Sequence, residues 1–293
     1  MAPGDLITRP GQVQYGELLL GAGTPYRWRS IGGWEDLPAL DSGTVPRSGA
    51  HGAFPGRLLA QARTITLDGL IVRAPRATIG ATVAALNAGT APVEDERPLV
   101  AWLDERGPLL AYARPTRRAI PASLGYRLGT ITGGAIEFQA TDPHRYELAE
   151  HAVSAALPMS EAGLSWPLTW PLPFGEPGST GALSTMNVGD ADTHPVVEFR
   201  GPVTGPSLTN LSMGDVIEYD IPLAASDVLT VDTLAGTAVL NGTASRIYTA
   251  TSRSVPEQTF TLAPGITNLI FRAAPGSNNP TASATVRYRS AYW

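Results

Sequence analysis

The run Asp142-Pro143-His144-Arg145-Tyr146-Glu147 sets an imidazole, a guanidinium and a phenol between two carboxylates. His144 with Asp142 or Glu147 as orienting carboxylate is the pairing that general-base chemistry requires. A base also needs a nucleophile to serve, and the sequence contains no Gly-x-Ser-x-Gly elbow. Pro143 pushes Asp142 into extended backbone, which ends strand pairing. An Asp in that place accepts hydrogen bonds from the backbone two residues on and closes a turn. Asp142, Pro143, His144 and Tyr146 therefore read as a junction where one domain hands over to the next, not as a reaction centre.

The other chemically capable residues are weaker. His51, His144, His151 and His194 are scattered without His-x-x-x-His or His-Glu-x-x-His spacing, so no metal site is expected. Glu94-Asp95-Glu96 and Asp104-Glu105 offer the paired carboxylates of a glycosidase, but both fall in turn-like segments, where solvated charge is the default. The chain lacks Cys and Lys, so thiolate nucleophiles, disulfides, Cys-ligated zinc and a Gly-Lys-Thr phosphate cradle are all excluded. Trp166, Trp170 and Trp293 have the side chain that stacks on sugar rings. The competing reading packs them onto a domain surface, since tryptophan is costly to leave in water. No catalytic constellation, cofactor or enzymatic activity is expected.

The elements that must position these residues are mostly strands. Residues 11–21 alternate and then turn apolar, and 62–74 return to alternation, with Ile65, Leu67, Leu70 and Val72 among the inward candidates and Asp68-Gly69 at a kink or bulge. Residues 33–57 are rich in Gly and Pro and read as a long loop of the kind that carries function. Residues 75–89 form the one helix expected, with Pro75 in its first turn, Ile79, Val83 and Leu86 as its apolar stripe, and Asn87 to Gly89 as its stop. Residues 99–115 read as a hairpin turning at Asp104-Glu105-Arg106-Gly107, and 125–141 as a strand or hairpin bent at Gly133-Gly134.

Between 151 and 182 the texture shifts to prolines at 167, 171, 173 and 177 with Trp166 and Trp170, a stiff connector. From 183 to 293 short strands recur between turn signals such as Met213-Gly214-Asp215 and Asn241-Gly242, which indicates a β-sandwich. The expected organisation is thus a domain over 1–150, a linker over 151–182 and a sandwich over 183–293.

All 21 basic side chains are Arg, the residue suited to fixed bidentate contacts. Residues 1–150 balance 15 Arg against 15 acids, while the rest holds 6 Arg against 11 acids and so carries the whole net charge of −5. Neither half has the basic footprint of a nucleic-acid reader. The opening MAPGDLITRPGQ lacks the basic and apolar regions of a secretory signal, and no apolar run approaches a membrane span.

The order of parts resembles the distal tail proteins of long-tailed phages, especially those with actinobacterial hosts. The carriers are FQATDPHRYE (138–147), DGLIVRAPRATIGATVAALNAG (68–89), DVLTVDTLAGTAVLNG (227–242) and LAPGITNLIFRA (262–273). The resemblance implies a mainly β protein: an N-terminal β-rich belt domain with one helix, and a C-terminal galectin-like β-sandwich. It further implies a hexameric ring in the virion, assembled in the host cytoplasm, that joins the tail tube to the tip or baseplate hub and leaves a channel for DNA. The implied partners are further copies of the chain, the tail tube protein, a hub or tail-associated lysin-type protein and other tip proteins, with no sequence-specific nucleic acid and no membrane insertion. Asp104, Glu105, Arg106, Arg117, Arg118 and the 33–57 loop are the interface candidates. Two rival readings are a carbohydrate-binding adhesin of the tail that uses Trp166, Trp170 and Trp293, and a glycoside hydrolase that uses a carboxylate pair.

Overall fold

The computed structural model describes residues 2–159, 170 and 178–293. The chain divides into two compact units, Met1–Leu148 with Trp293, and Ala149–Tyr292.

In the first unit the strands are β1 (Gln12–Tyr15), β2 (Leu18–Gly21), β3 (Tyr26–Arg27), β4 (Ser30–Gly32), β5 (Leu40–Asp41), β6 (Val45–Pro46), β7 (Ala53–Phe54), β8 (Leu59–Ala60) and β9 (Arg63–Arg73). They are followed by α1 (Ile79–Gly89), β10 (Arg97–Trp102), β11 (Pro108–Ala119), α2 (Leu124–Leu128), β12 (Thr130–Ala140) and β13 (Arg145–Glu147). The main sheet runs β2-β1-β10-β11-β12-β9-β3, with β4 also on β9 and β13 on β11. Its two ends, β2 and β3, lie against each other, so the sheet nearly closes into a barrel. Near-closure leaves little unpaired edge.

The interior follows from strand periodicity. Ile65, Leu67, Leu70 and Val72 of β9 are buried and face Ile136 and Phe138 of β12 in the unit's core, with Tyr15 packed on Phe138 at 4.9 Å between ring centroids. Gly69 sits with φ at +64° where the β9–β12 register slips between Gly134 and Ala135, so the expected kink is a bulge. Only glycine adopts that backbone without strain. The helix begins at Ile79, later than its Pro75 signal suggests, because 75–78 form a separate turn in which Thr78 donates to the Pro75 carbonyl at 2.9 Å. Ile79, Val83 and Leu86 are its buried face.

Two segments differ from the sequence expectation. Residues 124–128 form a short helix ended by left-handed Gly129, where a continuous strand or hairpin is expected; five residues are too few to show helical periodicity. The 33–57 segment is not an open loop: β5 pairs with β8 and β6 with β7, giving a projecting two-stranded arm from Leu40 to Ala60.

The second unit is a sandwich. One sheet orders His151–Ala156, Ser283–Tyr288, Val196–Arg200, Val228–Asp232, Thr237–Leu240 and Ala244–Ser245. The other orders Ala182–Asn187, Gly265–Arg272, Ser207–Asn210 and Val216–Glu218. Alternate residues of both point into one core, where Phe199 of the first sheet stacks on Phe271 of the second at 5.8 Å. The span read from sequence as connector therefore begins with a strand, His151–Ala156, that belongs to the sandwich. Residues 160–169 and 171–177 of that span lie outside the described residues.

Candidate interaction site

The arm is the first unit's most conspicuous surface. Leu40, Val45, Phe54, Leu58 and Leu59 are between 42 and 66 % exposed. Arg47 lies over the Phe54 ring at 4.8 Å from its centroid, a cation–π contact that holds the aromatic at the end of the ladder. The tip closes with the Arg47 N–H on the Gly52 carbonyl at 3.1 Å. Halfway along, a side chain at Gly56 would fall 2.4 Å from the Gly43 carbonyl oxygen, so the two limbs approach each other only because this position is bare.

The root of the arm, by contrast, is fixed. Arg63, 1 % exposed, donates from Nη1 to the carbonyls of Gly33 (2.7 Å), Trp34 (3.0 Å) and Asp36 (2.7 Å), and from Nε to Pro143 (2.6 Å). The planar guanidinium thus ties the 33–36 backbone to the 142–147 turn. Burial, then the nearby Arg145, pushes the Arg63 guanidinium down to about 10, so it remains a cation at neutral pH. Trp34 is also buried.

Beside this clamp, Glu35 accepts from Arg145 Nη1 at 2.7 Å and from Arg106 Nη2 at 3.0 Å, while Arg106 also holds Asp104 at 2.6 Å. The hydrogen bonds to Asp104 and Glu35 raise the Arg106 guanidinium above its ordinary range. Of the interface candidates, Asp104 and Arg106 are thereby engaged within the chain. Arg118 bonds the Asn87 and Thr90 carbonyls and the Thr90 hydroxyl at the end of α1. Glu105 and Arg117 are exposed.

The Asp142 turn has the geometry its sequence suggests. Asp142 Oδ1 accepts the His144 backbone N–H at 3.1 Å and lies 2.7 Å from His144 Nδ1, while Oδ2 accepts the Tyr146 hydroxyl at 2.5 Å. Burial acts to raise the Asp142 carboxyl, but the bonds from His144 and Tyr146 outweigh it and hold the pKa below the ordinary value. Burial, then the Asp142 charge, drives the Tyr146 phenol far up. Both Asp142 oxygens are occupied by its own neighbours, which makes this a rigid turn. Pro143 contributes its carbonyl to Arg63.

The tryptophans separate. Trp293 belongs to the first unit, where its ring lies 4.4 Å from that of His144 and its carbonyl accepts from Arg145. Trp170 is 88 % exposed. Trp166 lies outside the described residues. Sequence reasoning did not single out Arg63 or Glu35. An arginine amid the alternation of a strand was the available signal for the first, and none marked the second. Among the described residues no cluster of metal-binding side chains occurs, and no helix is long and apolar enough to cross a membrane.

Comparison with known proteins places this geometry. Residues 188–292 match the SPP1 Dit family, siphovirus-type tail component, C-terminal domain. Among solved structures, the chain is similar to the SPP1 Dit protein, described as a paradigm of the hub adsorption apparatus in phages infecting Gram-positive hosts. The TM-score is 0.65 at 14% sequence identity, covering 96% of this chain and 99% of that one. It is also similar to a chain of the phage P2 baseplate in its activated conformation with calcium, with a TM-score of 0.50 at 12% identity over 94% of this chain and 96% of that one. A search of curated proteins gave no match. Residues 188–292 thus match the siphovirus-type tail component C-terminal domain model, and the chain that carries them has a fold like that of SPP1 Dit.

Proposed function

We propose that this chain is a distal tail protein: a structural, non-enzymatic component of the phage virion whose copies close into a hexameric ring. The ring joins the tail tube to the tip or baseplate hub, and its central hole passes DNA. The observation that carries this reading is the end-to-end correspondence of fold with SPP1 Dit, which spans both units and not the family-matched domain alone. The physics of the first unit is consistent with it. A head-to-tail interface that closes on itself joins two different surfaces of one chain, and the exposed apolar arm supplies one such surface. The partners in this reading are the tail tube protein, a hub or tail-associated lysin-type protein and other tip proteins, met in the host cytoplasm during assembly.

Native mass spectrometry of the full chain, alone and mixed with tube and hub proteins, tests the proposal. A species of hexamer mass is expected. Monomer under every mixing condition overturns it.

The exposure of Trp170 favours a second reading, a glycan-binding tail adhesin. That reading requires the chain to be retained on an array of host cell-wall glycans and Trp170→Ala to abolish the retention. No retention by the unaltered chain removes it.

A further inference from the structure

One groove of the first unit has the properties that the arm lacks a partner for. It holds about 530 Å3 and is lined by Tyr15, Gly16, Glu17 and Leu18 on one side and Ala85, Ala88 and Gly89 of α1 on the other, with Arg97 at its end. The outward face of α1 there is alanine, exposed and flat, so backbone or a ring can approach closely. Tyr15, whose ring packs inward on Phe138, closes the groove from beneath at 1 % exposure.

Charge distinguishes the two surfaces. From Leu40 to Ala60 the arm carries Arg47, His51 and Arg57 against a single acid, Asp41 at its root. The groove has Glu17 on its rim, and the adjoining turn is Glu94-Asp95-Glu96, next in sequence to Arg97. Glu17, Glu94 and Asp95 are exposed, while Glu96 is occupied by the Thr141 backbone N–H at 2.7 Å. A projection with Arg47 and Arg57 and an apolar slot that has Glu17 on its rim, Arg97 at its end and exposed Glu94 and Asp95 adjoining carry complementary charges. Such pairing steers and registers association.

We propose that the Leu40–Ala60 arm of one copy docks in the groove between Leu18 and α1 of a second copy, with Phe54 seated on Ala85 and Ala88 and with Arg47 and Arg57 facing Glu17, Glu94 and Asp95. This rests on the ring reading and specifies its interface. The contact joins two different surfaces, so each copy gives an arm and receives one, as closure into a ring requires. Five exposed apolar side chains on a monomer's projection are otherwise a liability for nonspecific association.

Because the chain has no cysteine, two single variants, Phe54→Cys and Ala88→Cys, can be mixed and treated with a short bis-maleimide. Both positions are exposed, so neither substitution disturbs the core. A covalent dimer that links position 54 of one chain to position 88 of another is expected, whereas Phe54→Cys mixed with Ser245→Cys gives none. In parallel, Arg47→Glu with Arg57→Glu should lower the assembled fraction at least tenfold, and adding Glu17→Arg with Glu94→Arg should restore it. Rings that form without the 54–88 link, and that ignore the charge exchange, overturn the arm contact while leaving the ring intact. A wild-type chain that never assembles overturns both.

Discussion

Two side chains set the local order of the first unit, and each makes a separate prediction. Arg63 is buried without a carboxylate, and its Nη1 and Nε donate to four backbone carbonyls. Arg63→Met keeps the volume but leaves those acceptors short of donors, which should cost about 3 kcal/mol in denaturant-measured stability. Amide hydrogen exchange should rise first in 33–38, where three of the four carbonyls lie. Asp142 acts through its charge. Its folded pKa lies below the unfolded value, so its contribution is complete above about 3.9 and fades as the pH falls through the folded pKa. Asp142→Asn should therefore lower stability at neutral pH by about 1–2 kcal/mol, and the gap to the unaltered chain should narrow in acid. Equal gaps at pH 7 and well below pH 4 would contradict the assigned charge (about 3.9 being the reference aspartate value).

At the scale of elements, alternation made the buried faces legible. Ile65, Leu67, Leu70 and Val72, the α1 stripe of Ile79, Val83 and Leu86, and the turn at Asp142 were all readable from residue type and spacing. The arm was not. Its pairs are only two residues long and its apolar side chains face solvent, so neither periodicity nor burial leaves a trace in the sequence. The Arg63 clamp was hidden for a different reason, because its acceptors are carbonyls, which every residue possesses. The strand His151–Ala156 escaped because its partner, Ser283–Tyr288, is far along the chain. Replacing 41–59 by a short Gly-Ser turn tests the arm as an element. The midpoint of thermal unfolding should shift by no more than a few degrees, since the removed side chains contribute little to the core. Assembly should nevertheless be lost. A large fall in thermal stability would show that the arm belongs to the fold and not to its surface.

For the whole molecule, a nearly closed β unit followed by a sandwich is the fold shared with SPP1 Dit, and the sandwich is the part that the tail-component domain model matches. What neither carries is the assembly itself, since ring closure is a property of several chains and depends on the angle between their surfaces. Shape and not reactivity is the central claim. The most direct measurement is electron microscopy of the purified full-length chain, applied at a concentration at which native mass spectrometry detects oligomer, with two-dimensional averages taken down the axis. The account predicts sixfold rings with an open centre. Averages showing only single particles, or closed assemblies with no central opening, would contradict it.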